Sequence, residues 1–390
     1  MPVRIGKTGD IHLTEGPRFE DTKRCAYWVA DDGRAQGVQL WSVDGDLAGT
    51  TVPHRQTTLE RNALDDWFLY LAETAPVVVL YGNHDAAGDL DRIGKLKGKH
   101  PIHLFDRPGS VELAGVRVLA FPYPHKMDWL ALAGAAGTID EQLAAIQHAI
   151  RTLFEGWKAE VEIAHRRGMP VVFSGHAAIE GSVLAGGEVL APGGEIELPV
   201  AVLQALGCDF ASTNHIHMGQ EYAPGIWSAG SPNRSKFDET DEKGYLIVDV
   251  EAGMPPLVHR RLTPARRFVT VDAKWAQTPD GTWGWERDDV DAAALDGAEV
   301  RVRVAIPEEA WSTCPVADLE AEFGALAVDV QVDRSIVPTV RTRSEEIRTA
   351  RTTADKVNAW WDSLGETGPA PEQRERALRW LPRIEAKAAA

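Results

Sequence analysis

The chain has 390 residues, 44% of them apolar and 25% charged, with a formal net charge of −17. This is globular composition, long enough for one large domain plus one or two smaller ones. It leaves no run near the roughly 18 apolar residues of a membrane span. It also gives no disulfide framework from three isolated cysteines, and no basic footprint for a passive nucleic-acid binder.

In chain order, the N-terminal MPVRIGKTGDIHLT carries no apolar leader-type region and starts directly in strand-like alternation, so a reducing cytoplasm is the expected location. Apolar runs that stop in polar or glycine-rich punctuation predict strands at 3–10, 38–46, 76–85, 116–124, 170–176, 209–217, 225–232 and 244–251. Leu59, Ala63, Trp67 and Leu71, four residues apart, predict a helix over 58–74. A second helix is expected over 141–168, closing on basic residues and Gly168. Strands and helices interleave in the first half and strands predominate to about 262, which predicts an α/β layered domain over 1–262.

A boundary is expected at LTPARRF (262–268). Short strands at 267–275, 299–306 and 327–337, with a helix over 316–325, then predict a small α+β domain over 267–340. In the last fifty residues Ile347, Ala350, Ala354, Val357, Trp361 and Leu364 make one apolar helix stripe that Gly365 stops. A second short helix is expected from Pro371 to Leu381, interrupted by Pro382. Two short amphipathic helices build no core alone, so the tail at 344–385 must dock on its own chain or on a partner. The basic clusters at 259–268 and 341–351 read as solvated faces or linkers.

Several of the predicted strands end on potential ligands: Asp10 and His12, Asp46, Asn83 with His84 and Asp85, His176, then His215 and His217. One histidine at a strand end is ordinarily a hydrogen-bonded turn residue. Here five of only twelve histidines fall in ordered, glycine-flanked clusters, which moves the reading to a binuclear metal site. His, Asp and Asn are the donor set for Mn²⁺, Fe²⁺ or Zn²⁺, and a thiolate site is not suggested. In Asp10-x-His12 and His215-x-His217 an extended backbone would turn both side chains to one face. An aspartate can bridge two ions through its two oxygens.

The series Asp10-x-His12, Gly45-Asp46, Gly82-Asn83-His84-Asp85, Gly175-His176, His215-x-His217 resembles the calcineurin-like metallophosphoesterase superfamily. Within it, Gly230-Ser231-Pro232, Phe237-x-Glu239 and Lys243-Gly244 are similar to the SbcD-type nuclease subunits of double-strand-break repair complexes. The resemblance covers about 1–262. It implies a four-layer β-sandwich flanked by helices, with a small α+β capping domain and a helical tail. It also implies two divalent ions sharing Asp46, Mn²⁺ first and Mg²⁺, Fe²⁺ or Zn²⁺ as alternatives. One ion would take Asp10, His12 and His217, and the other Asn83, His176 and His215. His84 would bind no metal and would protonate the leaving group. Asp85 would support the turn.

Two positions depart from the family pattern. Asn214 stands where glycine is usual, a tolerable change if that residue needs a positive φ. Gly49 stands near the place of an Asp or His that would support His84, and His54 is a candidate substitute. His100, His103, His125, His148, His165 and His259 read as structural or surface residues.

The implied function is DNA phosphodiester cleavage, as exonuclease and endonuclease, with an SbcC-type coiled-coil ATPase as partner. The 267–340 domain would be the DNA-contacting cap and the 344–385 tail the ATPase-docking element. The protein would be nucleoid-associated when acting, with no membrane contact, and pairing of two copies is open. The alternatives are a metallophosphoesterase acting on phosphoproteins or small nucleotides, and a largely non-catalytic scaffold for the ATPase.

Overall fold

The computed structural model describes residues 2–49, 54–134, 137–184, 196–337, 347, 349–364 and 371–388. Its strands are β1 (Val3–Thr8), β2 (Leu40–Asp44), β3 (Val77–Leu80), β4 (Ile102–Phe105), β5 (Gly109–Leu113), β6 (Val116–Phe121), β7 (Val171–His176), β8 (Ala178–Ile179), β9 (Glu197–Leu198), β10 (Phe210–Asn214), β11 (Gln220–Ala223), β12 (Ile226–Ser228), β13 (Gly244–Val250), β14 (Leu257–Leu262), β15 (Phe268–Gln277), β16 (Trp283–Arg287), β17 (Glu299–Pro307) and β18 (Asp329–Val337). Its helices up to residue 324 are α1 (Phe19–Ala35), α2 (Thr58–Ala72), α3 (Lys126–Ala133), α4 (Ile139–Arg166), α5 (Val200–Leu206), α6 (Ala292–Leu295) and α7 (Val316–Gly324).

Two six-stranded sheets, β14-β13-β1-β2-β3-β4 and β11-β12-β10-β7-β6-β5, form the centre. Strands β1 to β4 run parallel, as do β6, β7, β10 and β12. The continuous apolar run in β3 has a direct cause, because both faces of that strand are buried. Val78 and Leu80 join Ile5 and Leu40 against Val116, Val118, Val172 and Phe210 of the other sheet. Val77 and Val79 turn the opposite way, with Trp41, onto Val29 and Ala30 of α1 and Leu64, Trp67 and Leu71 of α2. On the far side Leu119, Phe121, Val171 and Phe173 lie under Ile150, Phe154 and Trp157 of α4. The result is the expected layered architecture, helix/sheet/sheet/helix. Burying each such aliphatic side chain stabilises the fold by about 1.5–3 kcal/mol.

Helix α2 starts at the expected residue 58, and α4 starts at Ile139, before the expected 141, because each opens on a capping box: Thr57 with Glu60, and Thr138 with Glu141. Apolar spacing does not single out α1, whose last turns carry Gly33. A Cβ there would lie 2.2 Å from the Trp41 indole, so the glycine makes room for the largest side chain of β2.

A third sheet runs in the order β16-β15-β17-β18. The chain divides into two compact units: residues up to 271 with 289–301 and 319–331, and residues 272–288, 302–318 and 332 onward. In the second unit, the β15–β16 hairpin stacks Trp275 near Trp283 and Trp285, and Arg303 holds Asp272 at 2.6 Å. The tail helix Thr353–Ser363 starts at a Thr352–Asp355 capping box, later than the apolar stripe from Ile347 suggests. Gly365, its expected stop, lies outside the described residues. The next helix corrects an expectation: it spans Pro371–Ala388, straight through Pro382. A proline removes one amide donor, and here the remaining ladder carries the helix past it. Among the described residues no helix is long and apolar enough to cross a membrane.

The basic cluster at 259–268 is half-buried to exposed, as a solvated face should be, and its arginines are also paired. Arg261 chelates Asp32 (2.6 and 2.8 Å), Arg266 faces Asp21, and Arg267 caps the carbonyls of Ala293 and Asp296. Most of the 341–351 cluster lies outside the described residues.

Candidate metal centre

Five parallel strands, β1, β2 and β3 from one sheet and β7 and β10 from the other, point their C-terminal ends at one crevice. In open α/β sheets ligands collect at such an edge. Each end releases one or two of the expected residues. Four of the five described non-glycine residues with positive φ are Asp10 (48°), His12 (50°), Asp46 (53°) and His215 (115°). Holding such backbone costs about 1–3 kcal/mol per residue and concentrates at functional sites.

This geometry corrects the alternation argument. Asp10 and His12 do not project from an extended strand; both lie beyond β1 in left-handed backbone. His215 and His217, beyond β10, go to different clusters. Asp10, His12 and His217 bring ligand atoms within 4.8 Å of one another, and so do Asp46, His176 and His215. Asn83 Oδ1 stands against the second group, 3.1 Å from His176 Nε2 and 2.9 Å from His215 Nδ1.

The hydrogen bonds show what these clusters fit. His12 Nδ1 donates to the Gly49 carbonyl (2.5 Å), and His217 Nδ1 donates to Glu239 (2.8 Å). The two Nε2 atoms face each other at 2.9 Å; His12 keeps a lone pair there, whereas Glu239 and Asp10 outweigh burial and raise His217. Asp10 Oδ1 is buried with no hydrogen-bond partner. In the second group His176 Nδ1 donates to the Asp44 carbonyl (2.6 Å) and its Nε2 faces Asn83 Oδ1 and, at 3.4 Å, Asp46 Oδ2; burial would lower this ring, but Asp46 outweighs burial and raises it to about 10. Two groups of carboxylate, amide and imidazole atoms face inward around Asp10 and Asp46, whose negative charge is met by protons that nearby carboxylates hold on His176 and His217 and that a divalent ion would displace. That is a cation's environment, with hard and borderline donors suited to divalent ions.

Asp46 joins the two groups. Its Oδ1 accepts from the His84 amide (2.8 Å). Its Oδ2 lies 3.4 Å from His176, 3.9 Å from His12 and 3.8 Å from His84 Nε2. Burial alone would raise this carboxyl; His176, by its charge and its hydrogen bond, outweighs burial and holds it well below the usual carboxylate range. Burial and the facing His217 push His12 down to about 4, which keeps it neutral, the form that binds a metal.

Neighbouring residues fix the ligands in place. Asp85 accepts from the amides of Gly82, Asp46 and Leu47 (2.9, 2.9 and 3.0 Å), holding two strand-end loops together. Burial, with Asp46 nearby, raises it to about 7. Asn214 does not have a positive φ, so the conformational reason for tolerating asparagine there does not apply. Its side chain instead donates to Asp10 Oδ2 (3.1 Å) and to the Gly230 carbonyl (2.9 Å). Gly49, where a helper for His84 is missing, supplies the carbonyl that orients His12. His54 does not replace that helper at the His84 ring: its own ring bonds Glu60 (2.8 Å), while its amide donates to the His84 carbonyl (2.9 Å). His84 Nδ1 is buried with no hydrogen-bond partner, and its ring stands edge-on to His12 at 5.1 Å.

Sequence reasoning missed the supports. Glu239 binds His217 through Oε1, and buried Lys243 meets its Oε2 at 2.9 Å. The Phe237-x-Glu239 and Lys243-Gly244 motifs were signal enough to locate the pair, though not to show its task. A carboxylate behind a metal-binding histidine sets tautomer and basicity. Glu239→Gln is expected to weaken Mn²⁺ binding about 10–100-fold in a calorimetric titration; wild-type affinity would show the contact to be structural only.

Deeper still, Lys7 and Asp44 form a fully buried ion pair at 3.0 Å. Lys7 also reaches Ser42 at 3.1 Å and Ser174 of the other sheet.

A family model for calcineurin-like phosphoesterases matches residues 3–217, a stretch that holds all eight expected site residues. Among solved structures, a dimetal phosphatase from Danio rerio is 11% identical over 66% of this chain and 99% of its own (TM-score 0.40). GAP50, the anchor in the inner membrane complex of Plasmodium, is 10% identical over 67% and 89% (TM-score 0.39). A putative 5′-nucleotidase from Staphylococcus aureus, in complex with alpha-ketoglutarate, is 12% identical over 67% and 54% (TM-score 0.41).

Proposed function

The chain belongs to the calcineurin-like phosphoesterase family, and from that premise we propose that it is a DNA phosphodiesterase acting with two divalent ions, Mn²⁺ foremost, and an SbcC-type ATPase. The observation that carries the hydrolytic part is the pair of His/Asp clusters with Asp46 between them. Asp10, His12 and His217 would hold one ion, Asn83, His176 and His215 the other, and Asp46 both. Ions bound there supply Lewis acidity toward water and phosphoryl oxygens. The chain's own task is to orient the ester and to deliver a proton to the departing sugar oxygen.

His84 is our donor. It sits outside both clusters, 3.8 Å from Asp46 Oδ2, on a loop whose amide is tied to Asp46 Oδ1. An imidazole can give up a proton at neutral pH, a contribution of about 10²–10⁴-fold. His84→Asn is therefore expected to bind Mn²⁺ as wild type does while losing about 10²–10⁴-fold in phosphodiester cleavage. Loss of metal from that variant would make His84 a ligand instead.

The DNA assignment is supported by residues 227–251. Glu239 and Lys243, which carry the resemblance to SbcD-type subunits, are the residues that hold His217. The proposed partner is supported by the tail, where helix Thr353–Ser363 buries no residue fully. Arg374 of the following helix bonds Asp362 (2.7 Å) and Asn358 (2.9 Å), leaving a two-helix element to complete its core on another surface. The deciding assay is cleavage of linear double-stranded DNA with Mn²⁺, with and without the ATPase, beside a small phosphate monoester. Turnover of the monoester alone would transfer the assignment to a phosphatase.

A further inference from the structure

Beside the clusters lies a cleft of about 790 Å³, within the range of small-molecule sites. We propose that it receives the nucleobase attached to the scissile phosphate, an inference that rests on the phosphodiesterase reading.

The cleft adjoins the metal centre through one wall. Tyr123, one of its walls, has its ring centroid 5.5 Å from that of His215 and 6.1 Å from that of His176. The Tyr123 amide donates to the carbonyl of Tyr81, two residues before Asn83 (3.0 Å). A phosphate seated between the clusters thus has its substituent one side chain from the cleft.

The walls suit a flat, uncharged group. Pro122, Trp129 and Leu153 line it, and His125 stands edge-on to Tyr123 at 5.0 Å. Ala145 and Ala149, one turn apart on α4, leave the space open. The lining is unsuited to a second phosphate: Arg107, its one arginine or lysine, is occupied by Asp106 at 3.1 and 3.2 Å, and Asp128 adds another negative charge. His125, His148 and Thr152 remain as donors and acceptors for a base edge. A second phosphate would find only this one paired guanidinium among these residues. A base finds aromatic faces, and base–aromatic stacking strengthens binding by about tenfold per base.

The test needs neither metal nor turnover. EDTA-treated protein is titrated by calorimetry with thymidine 5′-monophosphate, deoxyadenosine 5′-monophosphate and methyl phosphate. At least one nucleotide is expected to bind 10-fold or more tighter than methyl phosphate. Ala149→Trp, which fills the cleft, should erase that difference, and Thr152→Trp serves if the first variant lacks a cooperative melt. Equal binding of all three ligands by wild type, or a nucleotide preference that survives filling, overturns the inference. The phosphodiesterase reading fails separately, if wild type with Mn²⁺ leaves both thymidine 5′-(p-nitrophenyl) phosphate and DNA uncut.

Discussion

Asp46→Ala is expected to lose binding of both ions and, on the proposed function, at least about 10³-fold of phosphodiester cleavage. That factor corresponds to several kcal/mol of metal-supplied transition-state stabilisation, at 1.36 kcal/mol per tenfold. The reason is geometric. Asp46 Oδ2 is the oxygen that stands near His12 and His176 together, and so lies between the two groups. Asp10, the other buried carboxylate among the expected ligands, offers no substitute. Its Oδ2 is engaged by the Asn214 side chain and the His215 amide at 3.1 and 3.0 Å, which fixes its remaining oxygen on its own side. The alanine also frees the His84 amide, so the proposed proton donor loses its anchor. Metal content by atomic emission and a gel assay on linear DNA measure the two effects. An Asp46→Ala protein that retained two ions would remove Asp46 from its bridging place. The isosteric Asp46→Asn separates causes, since its side-chain oxygen can keep the His84 amide contact while losing the charge.

Lys7→Met is expected to destabilise the fold by about 3–5 kcal/mol, the cost of leaving one member of a buried pair uncompensated. Whole domains are stable by only about 5–15 kcal/mol, so the variant approaches the unfolding threshold. Lys7 and Asp44 are both 0% exposed. Burial lowers the lysine from its ordinary value and raises the aspartate from its own, with each partner opposing that drift in the other. Methionine keeps the length and apolar stem of Lys7, so the loss is one of charge and hydrogen bonds rather than volume. Adding Asp44→Asn removes the orphaned charge and should recover at least about 1 kcal/mol, the coupling expected of residues in contact. Urea denaturation of the three proteins measures both numbers. A single variant within about 1 kcal/mol of wild type would show that water reaches Asp44. The pair also bears on the metal centre, since the Asp44 carbonyl orients His176.

The sandwich was legible because its signals are local. Val77 to Leu80 is apolar at every position since β3 is covered on both faces, and Thr57 and Thr138 mark helix starts through contacts three residues away. The candidate ligands were equally visible, because each sits where an apolar strand gives way to a polar turn, a change that needs no partner to be seen.

Local patterning in the chain thus carried the layered fold and the identity of the residues around the crevice. Tertiary structure alone decided how they are used. His215 and His217 are two residues apart yet enter different clusters, since a φ of 115° at His215 turns the chain between them. Lys7 reads as a solvent-facing strand residue until Ser174, 167 positions away, comes beside it from the second sheet. Glu239 became the support of His217, and Asn214 that of Asp10, only once loops met across the crevice. The physical reason is range: periodicity and capping act within a few residues, whereas ligand grouping, hydrogen-bond direction and burial of charge depend on which strand ends the fold brings together.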